Sequence, residues 1–202
     1  MLLEHRANVN EPGERSQSAL LLAASHGHTE LVRLLLECSA HVDARSDSRT
    51  TPLLAAADEG HAQVVALLIA ARADVLATND DEDHALTIAS RRGYTALVKL
   101  LVDGQHIPVD KRGYNSATAL MIACEHARRD VVEYLLEKRA DLFARNSTKN
   151  TPVHAACLGG SVEILQMLLA AGASIDVVRR LICARTRTRD AHDHDDDTSS
   201  IG

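Results

Sequence analysis

"TPLLAAADEGHAQVVALLIAARADV", residues 51–75, decides how the chain is read. The hydroxyl of Thr51 is followed directly by Pro52, the pattern of a helix N-cap with proline at the first helical position. Small and apolar residues continue to Ala57. Gly60 then supplies a stop, because glycine takes the left-handed backbone that ends a helix without a Cβ clash. A second helix is predicted from "AQVVALLIAA", residues 62–71. Its apolar set, Val64, Val65, Leu67, Leu68 and Ile69, is wide enough for a helix buried on two sides between stacked neighbours.

The stretch recurs. Ala56 has counterparts at Ala23, Ala89, Ala123 and Ala156. Thr51 corresponds to Ser18, His84, Thr118 and Thr151. Gly60 corresponds to Gly27, Gly93, Ala127 and Gly160, and Leu68 to Leu35, Leu101, Leu135 and Leu168. The step is 33 residues, once 34, the extra residue falling near "GQHIPVDKRG". Helical units repeating at such a period stack into a solenoid. The units run 11–43, 44–76, 77–110, 111–143 and 144–176. Residues 1–10 fit the last part of a preceding unit through Leu2, Leu3, Ala7, Val9 and Asn10, so the chain is expected to begin mid-repeat. Residues 177–202 break the pattern. Val177, Val178, Leu181 and Ile182 are expected to form a short apolar cap, with disorder from about Arg185.

Residues 51–75 and "TPVHAACLGGSVEILQMLLAAGASID" (151–176) resemble ankyrin repeats. The resemblance covers about residues 1–176 and implies an all-α solenoid of helix–turn–helix layers with projecting finger loops. It also implies a structural histidine bridging helix start and adjacent repeat, matched only by His154. Departures from the family pattern carry expectations of their own. The turn glycine before the cap is replaced by Ser16, Arg49, Glu82, Ser116 and Lys149, so the fingers are expected to depart from a tight turn. His84 stands at a cap position, so Asp83 is expected to cap in its place. Ala127 at a glycine position is expected to cost about 1 kcal/mol.

Composition narrows the function. The chain has 202 residues, is 46% hydrophobic and only 2% aromatic, and lacks Trp, so its core is built from Ala, Leu, Val and Ile. A net charge of −6 argues against nucleic acid, whose phosphates require cationic patches. No stretch is long enough to cross a bilayer, and no membrane insertion is expected. Four cysteines show neither metal spacing nor a disulfide framework. A monomer in a reducing intracellular setting is expected, in the cytoplasm or the nucleus.

His154 and Cys157 share a helix face, as a nucleophile and its base would. The counterparts of Cys157 are Cys124, Ser90, Ala57 and Ala24, however, so the position selects small volume rather than reactivity. His192 and His194, in "AHDHDDD", offer a metal only a solvated acidic tail. No catalytic residue, metal or cofactor is assigned. The resemblance implies protein or peptide recognition on a concave face made by fingers and first-helix ends. On that face fall Asp58, Glu59, Asp80, Asp81, Arg91, Arg92, Tyr114, Asn115, Glu125, His126, Phe143 and Ser147. The acidic block and the two arginines are close enough to pair. Tyr114 and Phe143 are read as aromatic anchors in successive fingers, centring a site on the third to fifth units. The competing reading is a structural spacer within a larger protein.

Overall fold

A computed structural model describes residues 8–104 and 106–174. The partial first repeat up to Ala7, and the cap and tail expected after residue 176, lie outside the described residues. Among these, ten α-helices form and no strand does. They pair as α1 (Ala19–Ser25) with α2 (Thr29–Glu37), α3 (Pro52–Asp58) with α4 (Ala62–Ala70), and α5 (Ala85–Arg92) with α6 (Thr95–Asp103). Then follow α7 (Ala119–Glu125) with α8 (Arg129–Glu137), and α9 (Pro152–Gly159) with α10 (Val162–Ala170).

Helix starts follow the sequence closely. Ser18, Thr51 and Thr118 accept from the backbone N–H groups of Leu21, Leu54 and Met121. Pro52 and Pro152 sit in the first turn, where no N–H is needed. The third repeat corrects the expectation for Asp83. His84 itself caps, its Nδ1 accepting from the Thr87 N–H while Thr87 Oγ1 accepts from the His84 N–H. The Asp83 carboxylate instead accepts from Arg91 at 2.5 Å. His154 serves its own helix start, its Nδ1 accepting from the Thr151 N–H at 3.2 Å.

The fingers correct another expectation. Ser16, Arg49, Glu82, Ser116 and Lys149 adopt φ of 56°, 57°, 58°, 55° and 66°, the conformation glycine usually supplies. The turns therefore stay tight without glycine. One backbone bond closes each finger, as from the Ser46 N–H to the Thr50 carbonyl at 3.0 Å and from Asn146 to Asn150 at 3.0 Å. Such residues bear a left-handed strain of about 1 kcal/mol each, which closure of the finger must offset.

Two layers result. First helices pack against one another in series, α1 on α3, α3 on α5, α5 on α7 and α7 on α9. They form the inner layer and are buried almost all round; in α3 every residue from Pro52 to Ala57 is buried. Ala23, Ala56, Ala89, Ala123 and Ala156 let these helices approach, and Leu20, Leu53, Leu86, Leu120 and Val153 fill the row beside them. Second helices form the outer layer and bury one stripe. In α4 this is Val64, Val65 and Leu68, while Leu67 and Ile69 are only half-buried, a narrower stripe than the sequence suggests. Tyr134 is buried in α8, its ring flanked by Lys99 and Lys138 ammonium groups at 5.5 and 5.4 Å.

Side chains between repeats explain which glycines are obligatory. Cβ atoms at Gly27, Gly60 and Gly93 would fall within 3 Å of His61, Tyr94 and Arg128, each contributed by the next repeat. Ala127 is left-handed as well, at φ 54°. The residue corresponding to those three covers is Ser161, which is small, so a methyl group at 127 has room.

A second series of bonds runs along the base of the fingers. Asn10 Oδ1 accepts from the His41 N–H, Asp43 Oδ1 from Asp74 and Asp110 Oδ1 from Asp141. Leu76 replaces the acceptor at the junction of the second and third repeats, where Pro108 replaces the donor. Both halves of that bond are lost together, so neither group is orphaned. The inserted residue lies nearby. Ala40, Ala73 and Ala140 donate to Leu35, Leu68 and Leu135, five residues back, whereas Ile107 donates to Leu101, six back. The extra residue is thus absorbed before Ile107, and the register resumes.

Candidate functional site

The fingers and the ends of the first helices bound a cleft across the first three repeats. Its cavity of about 420 Å³ is lined by Leu21, Leu54 and Ile88 below, with Asp58, Glu59, Asp81, Arg91 and Arg92 among the polar walls. The three apolar residues are buried and form a fixed floor. Five of the residues read from sequence thus line one cleft, Asp58, Glu59, Asp81, Arg91 and Arg92.

The arginines are committed within the protein. Arg92 donates from Nε and Nη2 to the two carboxylate oxygens of Asp58 at 2.9 and 2.8 Å. This pair is half-exposed on both sides, so it contributes little to stability. Arg91 is different. Its partner Asp83 has a side chain only 2% exposed; Arg91 donates to Oδ2, and the buried Oδ1 has no partner. Removing Arg91 would leave a buried carboxylate uncompensated, which is far more costly than losing a surface pair. Arg49 lies 3.9 Å from Asp80 across two finger tips. The Asp80 N–H also donates to the Ser48 carbonyl, joining the second finger to the third.

The remaining expected residues lie elsewhere. Glu125 and His126 end α7, and His126 Nδ1 lies 3.1 Å from the Ile122 carbonyl of its own helix. Asn115 and Ser147 join the fourth and fifth fingers, the Ser147 N–H donating to the Asn115 carbonyl at 2.9 Å. Tyr114 opens the fourth finger and is 60% exposed. Phe143 corrects the expectation that it stands in a finger. The fifth finger closes at Asn146–Asn150, and Phe143 lies before it in a shallow depression with Leu136, Arg139, Leu142 and Ala171. It occupies the position of Asp43 and Asp110 in the base series, so it is not an aromatic neighbour of Tyr114 within the cleft.

Sequence reading missed the hydroxyl row of the second finger. Ser46 Oγ lies 3.0 Å from Ser48 Oγ, which lies 3.0 Å from Thr50 Oγ1, and all three line the cleft. The turn itself makes the row: the Arg49 N–H donates to the Ser46 carbonyl at 2.9 Å with Arg49 at φ 57°, which folds Ser46, Ser48 and Thr50 together, and no local signal in "SDSRT" (46–50) announces that turn.

The candidate nucleophile resolves as scaffold. His154 Nδ1 is held at Thr151, not at the Cys157 thiol. Burial lowers the His154 pKa and raises that of Cys157, the reverse of what an imidazole–thiolate pair needs. Burial pushes the Cys124 thiol up to about 12. Among the described residues no group of His, Cys, Asp and Glu could hold a metal, and no helix is long and apolar enough to cross a membrane.

Paired helices in stacked layers, finger turns and a concave cleft define a repeat protein of helical solenoid type. The sequence pattern "Ankyrin repeats (3 copies)" matches residues 1–79 and 86–179, so the chain belongs to the ankyrin-repeat family. Relatives match over shorter stretches. The mouse protein "Protein fem-1 homolog A-like" is 41% identical over 59 residues, 29% of this chain and 9% of that protein. The Drosophila melanogaster protein "Ankyrin repeat and KH domain-containing protein mask" is 40% identical over 62 residues, 31% of this chain and 2% of that protein. The Caenorhabditis elegans "Leucine-rich repeat serine/threonine-protein kinase 1" is 36% identical over 58 residues, 29% of this chain and 2% of that protein. The chain spans less than a tenth of the length of these relatives. Ankyrin repeats are in general protein–protein interaction modules and typically not enzymes.

Proposed function

We propose that this chain is a non-enzymatic interaction module that docks a protein or peptide on its concave face, with the cleft of the first three repeats at the centre. The observation that carries this is the cleft itself. It has a buried apolar floor, polar walls from three successive repeats and fingers tied to one another by backbone bonds, a preformed surface of the kind that needs little ordering on binding. This moves the centre from the third to fifth units toward the first three. The chain acts as a monomer inside the cell, a setting that suits its free thiols at Cys38, Cys124 and Cys157. The net negative charge favours protein over nucleic acid as partner.

A specific observation also favours the spacer reading. Leu22, Leu31 and Leu34 are exposed in the first described helix pair, and Cys157 in the last, at positions whose counterparts Ala55, Val64, Leu67 and Cys124 are buried or half-buried in interior repeats, as at layers that further repeats would cover. One comparison separates the readings. Ser48→Trp fills the cleft, and Gln63→Trp alters the outer layer. An interaction module captures from cell extract a defined protein that Gln63→Trp retains and Ser48→Trp loses. Capture unaffected by Ser48→Trp counts against the cleft and for the spacer.

A further inference from the structure

We infer that the partner presents to this cleft an extended segment bearing lysine or arginine side chains, an inference that rests on the interaction reading above. The argument begins with which charges are free. The second and third fingers and the ends of α3 and α5 carry Asp47, Asp58, Glu59, Asp80, Asp81, Glu82 and Asp83 against Arg49, Arg91 and Arg92. Each of these arginines is already paired, with Asp80, Asp83 and Asp58 respectively. Glu59, Asp81 and Glu82 are exposed and make no ion pair among the described residues, Arg92 acting on Glu59 only through its longer-range field. The cleft therefore presents uncompensated negative charge, although two arginines line it.

Those arginines do not serve an anionic ligand. An incoming carboxylate or phosphate that drew Arg91 away would strand the buried Asp83 carboxylate, one oxygen of which already lacks a partner. Drawing Arg92 away would break a two-bond contact and leave Asp58 beside Glu59. A cationic side chain displaces nothing and meets Glu59 and Asp81 directly, both of them lining the cleft. The rest of the lining suits the main chain of such a segment. Ser25, Ser46, Ser48 and Thr50 offer hydroxyls, Gln17 and Asn79 offer amides, and the floor of Leu21, Leu54 and Ile88 accepts an apolar side chain between the charged ones. The charge arrangement thus selects a basic segment and rejects acidic ones, which is specificity by both attraction and exclusion.

A phage-displayed random-peptide library screened on the purified protein tests this. Enriched sequences are expected to carry Lys or Arg beside an apolar residue. A synthetic fluorescent peptide of the leading sequence is then titrated against wild type, Ser48→Trp and the double variant Glu59→Lys/Asp81→Lys, with circular dichroism verifying that each is folded. The charge reversal should weaken binding by about tenfold or more, and wild-type affinity should fall as salt rises from about 50 to about 300 mM. Enrichment of acidic or uncharged peptides that Ser48→Trp still blocks overturns the basic-segment inference and leaves the interaction reading standing. A library that yields no binder, or binders indifferent to both variants, overturns the cleft itself.

Discussion

Two adjacent arginines show how far residue identity alone can mislead. Arg91 and Arg92 look equivalent in sequence, and both line the cleft. Their partners separate them, since Asp83 is buried and Asp58 is not. Arg91→Ala is therefore expected to destabilise the protein by about 2–3 kcal/mol, and Arg92→Ala by less than about 1 kcal/mol. Urea denaturation of the two variants measures the difference. Asp83→Asn in the Arg91→Ala background should recover part of the loss, because a neutral amide is cheaper to bury than an unpaired carboxylate. Ala127 provides a second residue-scale test. Ala127→Gly should raise stability by about 1 kcal/mol by relieving a left-handed alanine. Ser161→His alone should destabilise, and the double variant should show positive coupling, because only glycine leaves room for a ring laid over it. An additive cycle would show that the ring does not cover position 127.

Most of each element was legible because its determinants are local. Caps, first-turn prolines and helix-stop glycines act within a few residues, so Thr51, Pro52 and Gly60 announced α3 without reference to the rest of the chain. The finger turns misled for the same reason. A residue such as Arg49 has no intrinsic preference for φ 57°, and only the bonds that close and stack the fingers hold it there. The acidic block and its arginines could be brought together from repeat spacing, and so could the place of Phe143, one 33-residue step after Asp110, whereas the burial of Asp83 depends on packing between repeats. The same dependence governs the base series. Leu76 and Pro108 look like unrelated departures, yet they remove the two ends of one bond. Leu76→Asp with Pro108→Ala should rebuild it, with favourable coupling of about 1 kcal/mol beyond the sum of the single changes. Thermal denaturation of the two single variants and the double variant measures that coupling; its absence would mean that the junction has drifted too far apart for the bond.

In a solenoid each repeat contacts only its neighbours, so a weak interior repeat divides the whole molecule. The third repeat is the candidate because it concentrates buried polar groups, among them Asp83, His84, Thr87 and Ser90. His84 is wholly buried, and that burial pushes its imidazole down to about 4, while the nearby Lys111 backbone and Asp83 pull the other way. The folded protein thus holds His84 neutral at pH values where the unfolded chain, with a pKa of 6.5, already binds a proton. Its contribution is complete above pH 6.5 and falls as the pH drops toward 4, by about 3 kcal/mol in all. Two repeats lie on either side of this one. Loss of the third should therefore uncouple them, and denaturation at pH 4.5 should split into two steps where pH 7.5 gives one. Hydrogen exchange in α5 and α6 should accelerate on acidification before that in α3 and α4. His84→Thr installs the residue found at the corresponding caps of the second, fourth and fifth repeats, without a group that titrates in this range. It should flatten the stability profile between pH 6.5 and 4 and restore a single transition. A split transition that survives the substitution would assign the acid-sensitive step to other groups.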